Sequence, residues 1–255
     1  MIRAMAGTIS TWRDAAAAGA TRDMSALPVL AGGCLHEIHH QMEDGAAATA
    51  FALAAGRPGG GDAIFLLRGR RRQPMAFIPM GDGLRGLGID PARLVVVDAG
   101  DDRELLRAGL DAARCPGVGA VLLDMQGRFP SYDLAASRRL LLAAERSGVR
   151  VILLRGTAEP RSSAAWTRWT VASAPSVPWD ADAPGWPAIE VELLRCRGGG
   201  AGARWRLEWI MDQGVFRDAA DGTPLPGSVV PLAPLRTGRG GHGGPGDGAG
   251  HSRAA

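Results

Sequence analysis

Residues 32–56 read GGCLHEIHHQMEDGAAATAFALAAG, and this stretch decides the fold. Glycines open it, Leu35 to His39 has the make-up of a strand, and after Gly45 a run of strong helix formers is closed by Gly56. The order is strand, loop, helix. Moving outward, the alternation recurs. AIFLL at 63–67 is a strand, GDGLRGLGI at 81–89 holds a short helix, and RLVVVDA at 93–99 is a strand. ELLRAGLDAARC at 104–115 is a helix, VGAVLLD at 118–124 a strand, YDLAASRRLLLAAERSG at 132–148 an amphipathic helix, and VRVILLR at 149–155 a strand. Strands that are apolar throughout and separated by helices imply an α/β fold, with a parallel sheet covered on both faces.

Past Arg155 the rhythm changes. TRWTVAS at 167–173, IEVELLRCR at 189–197 and RWRLEWI at 204–210 alternate apolar and polar residues, the period of half-exposed antiparallel strands. GGGAGA at 198–203 reads as a hairpin loop, and 174–187 as a proline-punctuated connection. Three segments follow: an alanine-rich N-terminal helical segment at 1–26, a domain at 27–235, and a disordered glycine-rich tail at 236–255.

The composition narrows the class. Among 255 residues, 29 basic against 26 acidic side chains leave +3, and 46% hydrophobic content is enough for a core, which excludes a strongly charged tail protein. All the basic residues are arginine, so no mechanism can use a lysine amine. Cys34, Cys115 and Cys196 are odd in number and far apart, which fits a reducing compartment better than a disulfide framework. No apolar run is long enough to span a membrane, and Arg13 and Asp14 interrupt the start, so a cytoplasmic protein with no membrane partner is expected.

His36, Glu37, Ile38, His39 and His40 spell H-E-x-x-H, which on a helix would hold zinc between two histidines and activate water through the glutamate. Here the motif begins on a strand, so its histidines are separated by extended chain, and no metal site is expected. No G-x-S-x-G elbow occurs to support a hydrolase triad.

The strand, loop and helix at 32–56 resemble the opening of the RecA-like fold. Laid on G-x-x-x-x-G-K-[ST], His40 stands at the first glycine, Gly45 matches the second, and Ala46 and Ala47 replace the lysine and the hydroxyl residue. The charge on the β- and γ-phosphates and the magnesium ligand are both lost. Glu43 and Asp44 further bring negative charge to the helix start where phosphate would bind. The resemblance places Asp124 at the Walker-B aspartate, RGRRR at 68–72 where RecA-like ATPases carry a catalytic glutamate, and Arg155 where they carry a polar sensor. It implies no catalytic residue and no bound cofactor.

Further stretches make the similarity more specific. LHEI, GLGIDPARL, DLAASRRLLLAAERSGV with VILLR, SSAAWTRWTVASAPS, and IEVELLRCRGG with WRLEW resemble the ImuA family, the RecA-like accessory proteins of bacterial mutagenesis cassettes. That resemblance implies a non-hydrolysing adaptor in SOS-induced, error-prone translesion DNA synthesis. Its implied partners are ImuB, an inactive relative of lesion-bypass polymerases, and an error-prone replicative-type DNA polymerase. An SOS cell-division inhibitor built on the same degenerate core is the alternative.

Two groups are candidate interaction residues. Arg68, Arg70, Arg71 and Arg72 could meet DNA phosphate or an acidic surface, or stay in water. Trp166, Trp169, Trp205 and Trp209 belong to the tryptophan-rich last third, where core packing competes with an interface role. Trp205 and Trp209 share one face of their strand, with Arg204, Arg206 and Glu208 on the other.

Overall fold

The computed structural model describes residues 28–59, 62–69, 79–199 and 201–219. The segments read as an N-terminal helix and a glycine-rich tail lie outside them, as do Arg70, Arg71 and Arg72.

The apolar runs become strands and the amphipathic runs become helices, in the order β1 (Leu35–His40), α1 (Gly45–Ala55), β2 (Ala63–Gly69), α2 (Gly81–Gly86), β3 (Leu94–Ala99), α3 (Asp102–Ala112), β4 (Val118–Gln126), α4 (Leu134–Ser147), β5 (Arg150–Gly156), β6 (Thr167–Ala174), β7 (Ala188–Cys196), β8 (Arg204–Ile210) and β9 (Val215–Asp218). Their one sheet has the order β3-β2-β4-β5-β1-β6-β7-β8-β9. The first six strands in that order run parallel, and β7, β8 and β9 add an antiparallel extension. This is a RecA-like α/β architecture.

β6 corrects the sequence reading. It pairs antiparallel with β7 but parallel with β1, in the register His36↔Thr167 through His39↔Thr170. Alternating polarity reports which face of a strand is buried and carries no information on the direction of its neighbour. The short β9 follows β8 through a tight turn at 211–214 and was not among the expected strands.

Two cores lie on opposite faces. Ile38, Ile64, Leu122, Ile152 and Trp169 face α1 and its Phe51, while Leu35, Val121, Leu123, Val151 and Leu153 face α3 and α4. Alternation along β5 explains the division, with Val151 and Leu153 on one side and Ile152 and Leu154 on the other. Asp101 caps α3 through the N–H groups of Arg103 and Glu104, and Asp133 caps α4 through that of Ala136. Gly148 ends α4 at φ +80°, a left-handed conformation that glycine adopts without strain. A Cβ on Gly109 would stand 2.5 Å from a Leu123 methyl, so glycine is what lets α3 approach β4. No helix among the described residues is long and apolar enough to cross a membrane.

Candidate functional site

The carboxyl ends of β1, β4 and β5 gather the residues that the sequence singled out. His40 ends β1, residues 41–44 form a turn, and Gly45 begins α1, so the loop has the place and length of a phosphate loop. Its chemistry is turned inward. The Asp44 and Gly45 N–H groups donate to the Gln41 and Met42 carbonyls, at 3.2 and 3.4 Å. The Asp44 carboxylate accepts from the Ser173 N–H at 2.8 Å, tying the loop to β6. His40 Nδ1 lies 2.6 Å from the Gln41 carbonyl, and Ala46 and Ala47 contribute methyl groups only. Two of the backbone donors that a phosphate loop would offer, those of Asp44 and Gly45, are thus engaged within the loop, and the side chains at 46 and 47 carry neither an ammonium nor a hydroxyl.

Asp124 lies on β4, with β5 between it and β1, and accepts from Gln126 Nε2 at 2.6 Å. Arg68 is the described member of the arginine loop. It ends β2 in an ion pair with Asp98 of β3, so it knits the sheet edge.

H-E-x-x-H lies on β1, which sets the imidazoles of His36 and His40 on one strand face, roughly 13 Å apart along the chain. Both ring nitrogens of His36 are engaged, Nδ1 with Thr167 Oγ1 at 2.7 Å and Nε2 with the Ala31 carbonyl at 3.0 Å. Trp169 Nε1 donates to the same hydroxyl. Burial holds His36 neutral, with its pKa lowered to about 4. Among the described residues no three metal-binding side chains gather.

The tryptophans divide. Trp169 and Trp209 are buried, at 3% and 7% exposure, and Trp205 is half-buried against Trp169 at 5.9 Å. Trp209 donates to the Gly86 carbonyl and meets Phe216 edge-on at 4.8 Å. These three rings therefore build the face shared with α1 and α2. Trp166 is half-buried where β6 begins. Trp179 is 53% exposed and meets Trp186 edge-on at 5.3 Å, on the connection between β6 and β7.

One constellation escaped the sequence reading. On the face of β1 turned toward α4, Glu37 is almost wholly buried, accepts from Tyr132 Oη at 2.6 Å, and is paired with Arg168 Nε at 2.7 Å. His39 Nε2 stands 3.9 Å from the same carboxylate, and the Arg155 guanidinium lies 5.0 Å from the centre of the Tyr132 ring. Arg168 also donates to Ser163 Oγ and the Arg161 carbonyl, in the segment that crosses from β5 to β6 without a helix. Burial alone would raise the Glu37 pKa, but His39, Tyr132 and the Arg168 charge outweigh it and hold the carboxyl at about 2. Burial and the Glu37 charge push Tyr132 upward, and burial lowers Arg155. One signal was available: Tyr132 is the chain's single tyrosine, and Glu37 interrupts a buried strand.

Comparison with known proteins gives two matches and leaves the chemistry to the geometry. No family model matches the chain. It is similar to two proteins described as "Protein ImuA", from strains NA1000 / CB15N and ATCC 19089 / CIP 103742 / CB 15 of Caulobacter vibrioides. Each is 40% identical over 137 residues, covering 49% of this chain and 54% of the relative. The chain thus spans about half the length of the curated relatives it matches.

Proposed function

Because the chain belongs to the ImuA family over the half it shares with those relatives, we propose that it is a nucleotide-independent adaptor in error-prone DNA synthesis past damage. In this reading it holds an inactive relative of lesion-bypass polymerases and an error-prone replicative-type polymerase, and it breaks no bond. The supporting observation is the inward-turned loop after β1, where Asp44 and Gly45 spend their N–H groups on Gln41 and Met42. A RecA-like domain without nucleotide cannot use ATP to switch its surface, so its contacts must be constitutive. Trp179, the exposed aromatic of the last third, is one candidate anchor.

Titration calorimetry should give no heat with millimolar ATP and magnesium, and saturable, magnesium-dependent binding in the micromolar range would remove the reading. The polymerase homologue should co-purify with the chain in buffer free of nucleotide. A strain lacking the gene should show less damage-induced mutation while homologous recombination persists. Recovery of the division tubulin in place of a polymerase homologue would favour a cell-division inhibitor.

A further inference from the structure

α3 and α4 lie side by side on one face of the sheet, and each turns Leu105 or Leu140 into the core. Their outward faces carry arginine. On α3 and the turn after it, Arg103, Arg107 and Arg114 follow one another at helical spacing, and across the groove α4 presents Arg139 and Arg146. Two adjoining hollows of about 390 and 330 Å³ run between the helices and share Arg139 as a wall.

Among the described residues, no acidic side chain lines either hollow. Arg114 has Asp111 at 3.9 Å, whereas among the described residues Arg103, Arg107, Arg139 and Arg146 have no ion-pair partner. In a chain whose net charge is only +3, five arginines without a lining carboxylate are a local concentration of charge. Between the arginines the lining is mostly aliphatic, with Ser131 and Ser147 as the other polar side chains. Leu142 is 50% exposed, and Leu106 and Leu110 are half-buried.

Both properties restrict the occupant. A nucleic-acid backbone would neutralise the arginines but set phosphates over leucines, gaining nothing from their burial. A helix with a leucine stripe flanked by carboxylates satisfies both, since an apolar face can enter the groove while acids on its rims meet the guanidinium groups. Arg103 and Arg107 are one turn apart, about 6 Å along the axis, which matches acids at i and i+4 of a helix lying alongside. The sequence outside the described residues is a poor match to such a partner in composition, with Asp14, Asp23, Asp221 and Asp247 as its only acids against nine arginines.

We propose that the α3–α4 groove is a docking site for an acidic, leucine-bearing amphipathic helix of a partner protein. This gives the adaptor reading a contact surface, and rests on that reading only for its use in the cell.

A helix-stapled, fluorescein-labelled peptide of about fourteen residues, with leucines at i, i+3 and i+7 and glutamates on both flanks, is the probe. Its anisotropy is measured with the full chain. Saturable binding is expected, weakened about tenfold or more by Arg107→Glu or Arg139→Glu, about fivefold by Leu142→Ala, and by raised salt. Arg138→Glu is the control, because Arg138 is exposed on α4 and lines neither hollow, and it should leave binding unchanged. Circular dichroism melting should match the parent for every variant.

Absence of binding, equal loss in the Arg138 variant, or no loss in the Leu142 variant would overturn the proposal. Displacement of the peptide by duplex DNA through the same arginines would do so too, as would self-association abolished by Arg139→Glu. The two readings separate cleanly. If the polymerase homologue still co-purifies with the Arg107→Glu/Arg139→Glu chain, the groove is discarded and the adaptor stands. If it never co-purifies with the parent chain while the peptide binds, the adaptor is discarded and the groove stands.

Discussion

The buried charges around Glu37 and the exposed arginines of the α3–α4 groove lie on the same side of the sheet, yet their surroundings are opposite. Glu37 has a phenol, a guanidinium and an imidazole around it, and burial would penalise its charge without them. Arg139 stands in water beside leucines, with no carboxylate in its hollow. The first arrangement has every incentive to stay as it is. The second has charge and apolar area left for another molecule. One residue type thus locks the fold at Arg168 and leaves a surface open at Arg139.

The largest test breaks the buried side of this contrast. Glu37→Gln should lower unfolding free energy by about 3 kcal/mol or more in urea titration, because it leaves the Arg168 guanidinium without its counter-charge. A loss below about 1 kcal/mol would mean that the network does not hold β1, β6 and the segment before α4 together.

Acid should reach the same bonds. With Glu37 held at about 2, below its ordinary 4.5, its contribution is present above pH 4.5 and disappears as pH falls toward 2. With His36 lowered from 6.5 to about 4, its contribution is full above pH 6.5 and fades as pH falls to 4. Unfolding free energy should therefore be flat above pH 6.5 with respect to these two groups and decline below it in two stages, each on the order of 3 kcal/mol. The Glu37→Gln chain should lack the lower stage, and an unchanged acid profile in that variant would contradict the assignment.

Tyr132→Phe removes one hydrogen bond to a carboxylate and keeps the ring beside Arg155, so a loss of about 1.5 kcal/mol is expected. An equal loss from Tyr132→Phe and Glu37→Gln would show that the phenol, rather than the ion pair, carries the network. On the exposed side, Arg139→Glu should leave unfolding free energy within about 0.5 kcal/mol of the parent, while reducing peptide binding. A destabilised Arg139→Glu chain would erase the contrast.

The eight longer strands and the helices between them were legible because apolar runs, alternation and glycine stops are local properties. β9 was not, since four residues after a turn carry too short a pattern. The position of the loop at 41–44, between a strand and a helix, was legible from the sequence, but the bonds from the Asp44 and Gly45 N–H groups to Gln41 and Met42 were not. Trp205 and Trp209 were correctly placed on a shared face, though parity alone left open whether that face met a core or a partner.

The sequence by itself determined the alternation of strands and helices, the absence of a lysine at the loop, and the excess of leucine and arginine on two helices, because each is written in neighbouring residues. Only the tertiary structure decided that Glu37 would meet Tyr132 and Arg168, which are 95 and 131 positions away, and that β6 would run parallel to β1. It also decided that the arginine stripes of α3 and α4 would face one groove. Each of these depends on strand order across the sheet. That order follows from how two whole faces bury their apolar area together, a quantity that no single segment contains.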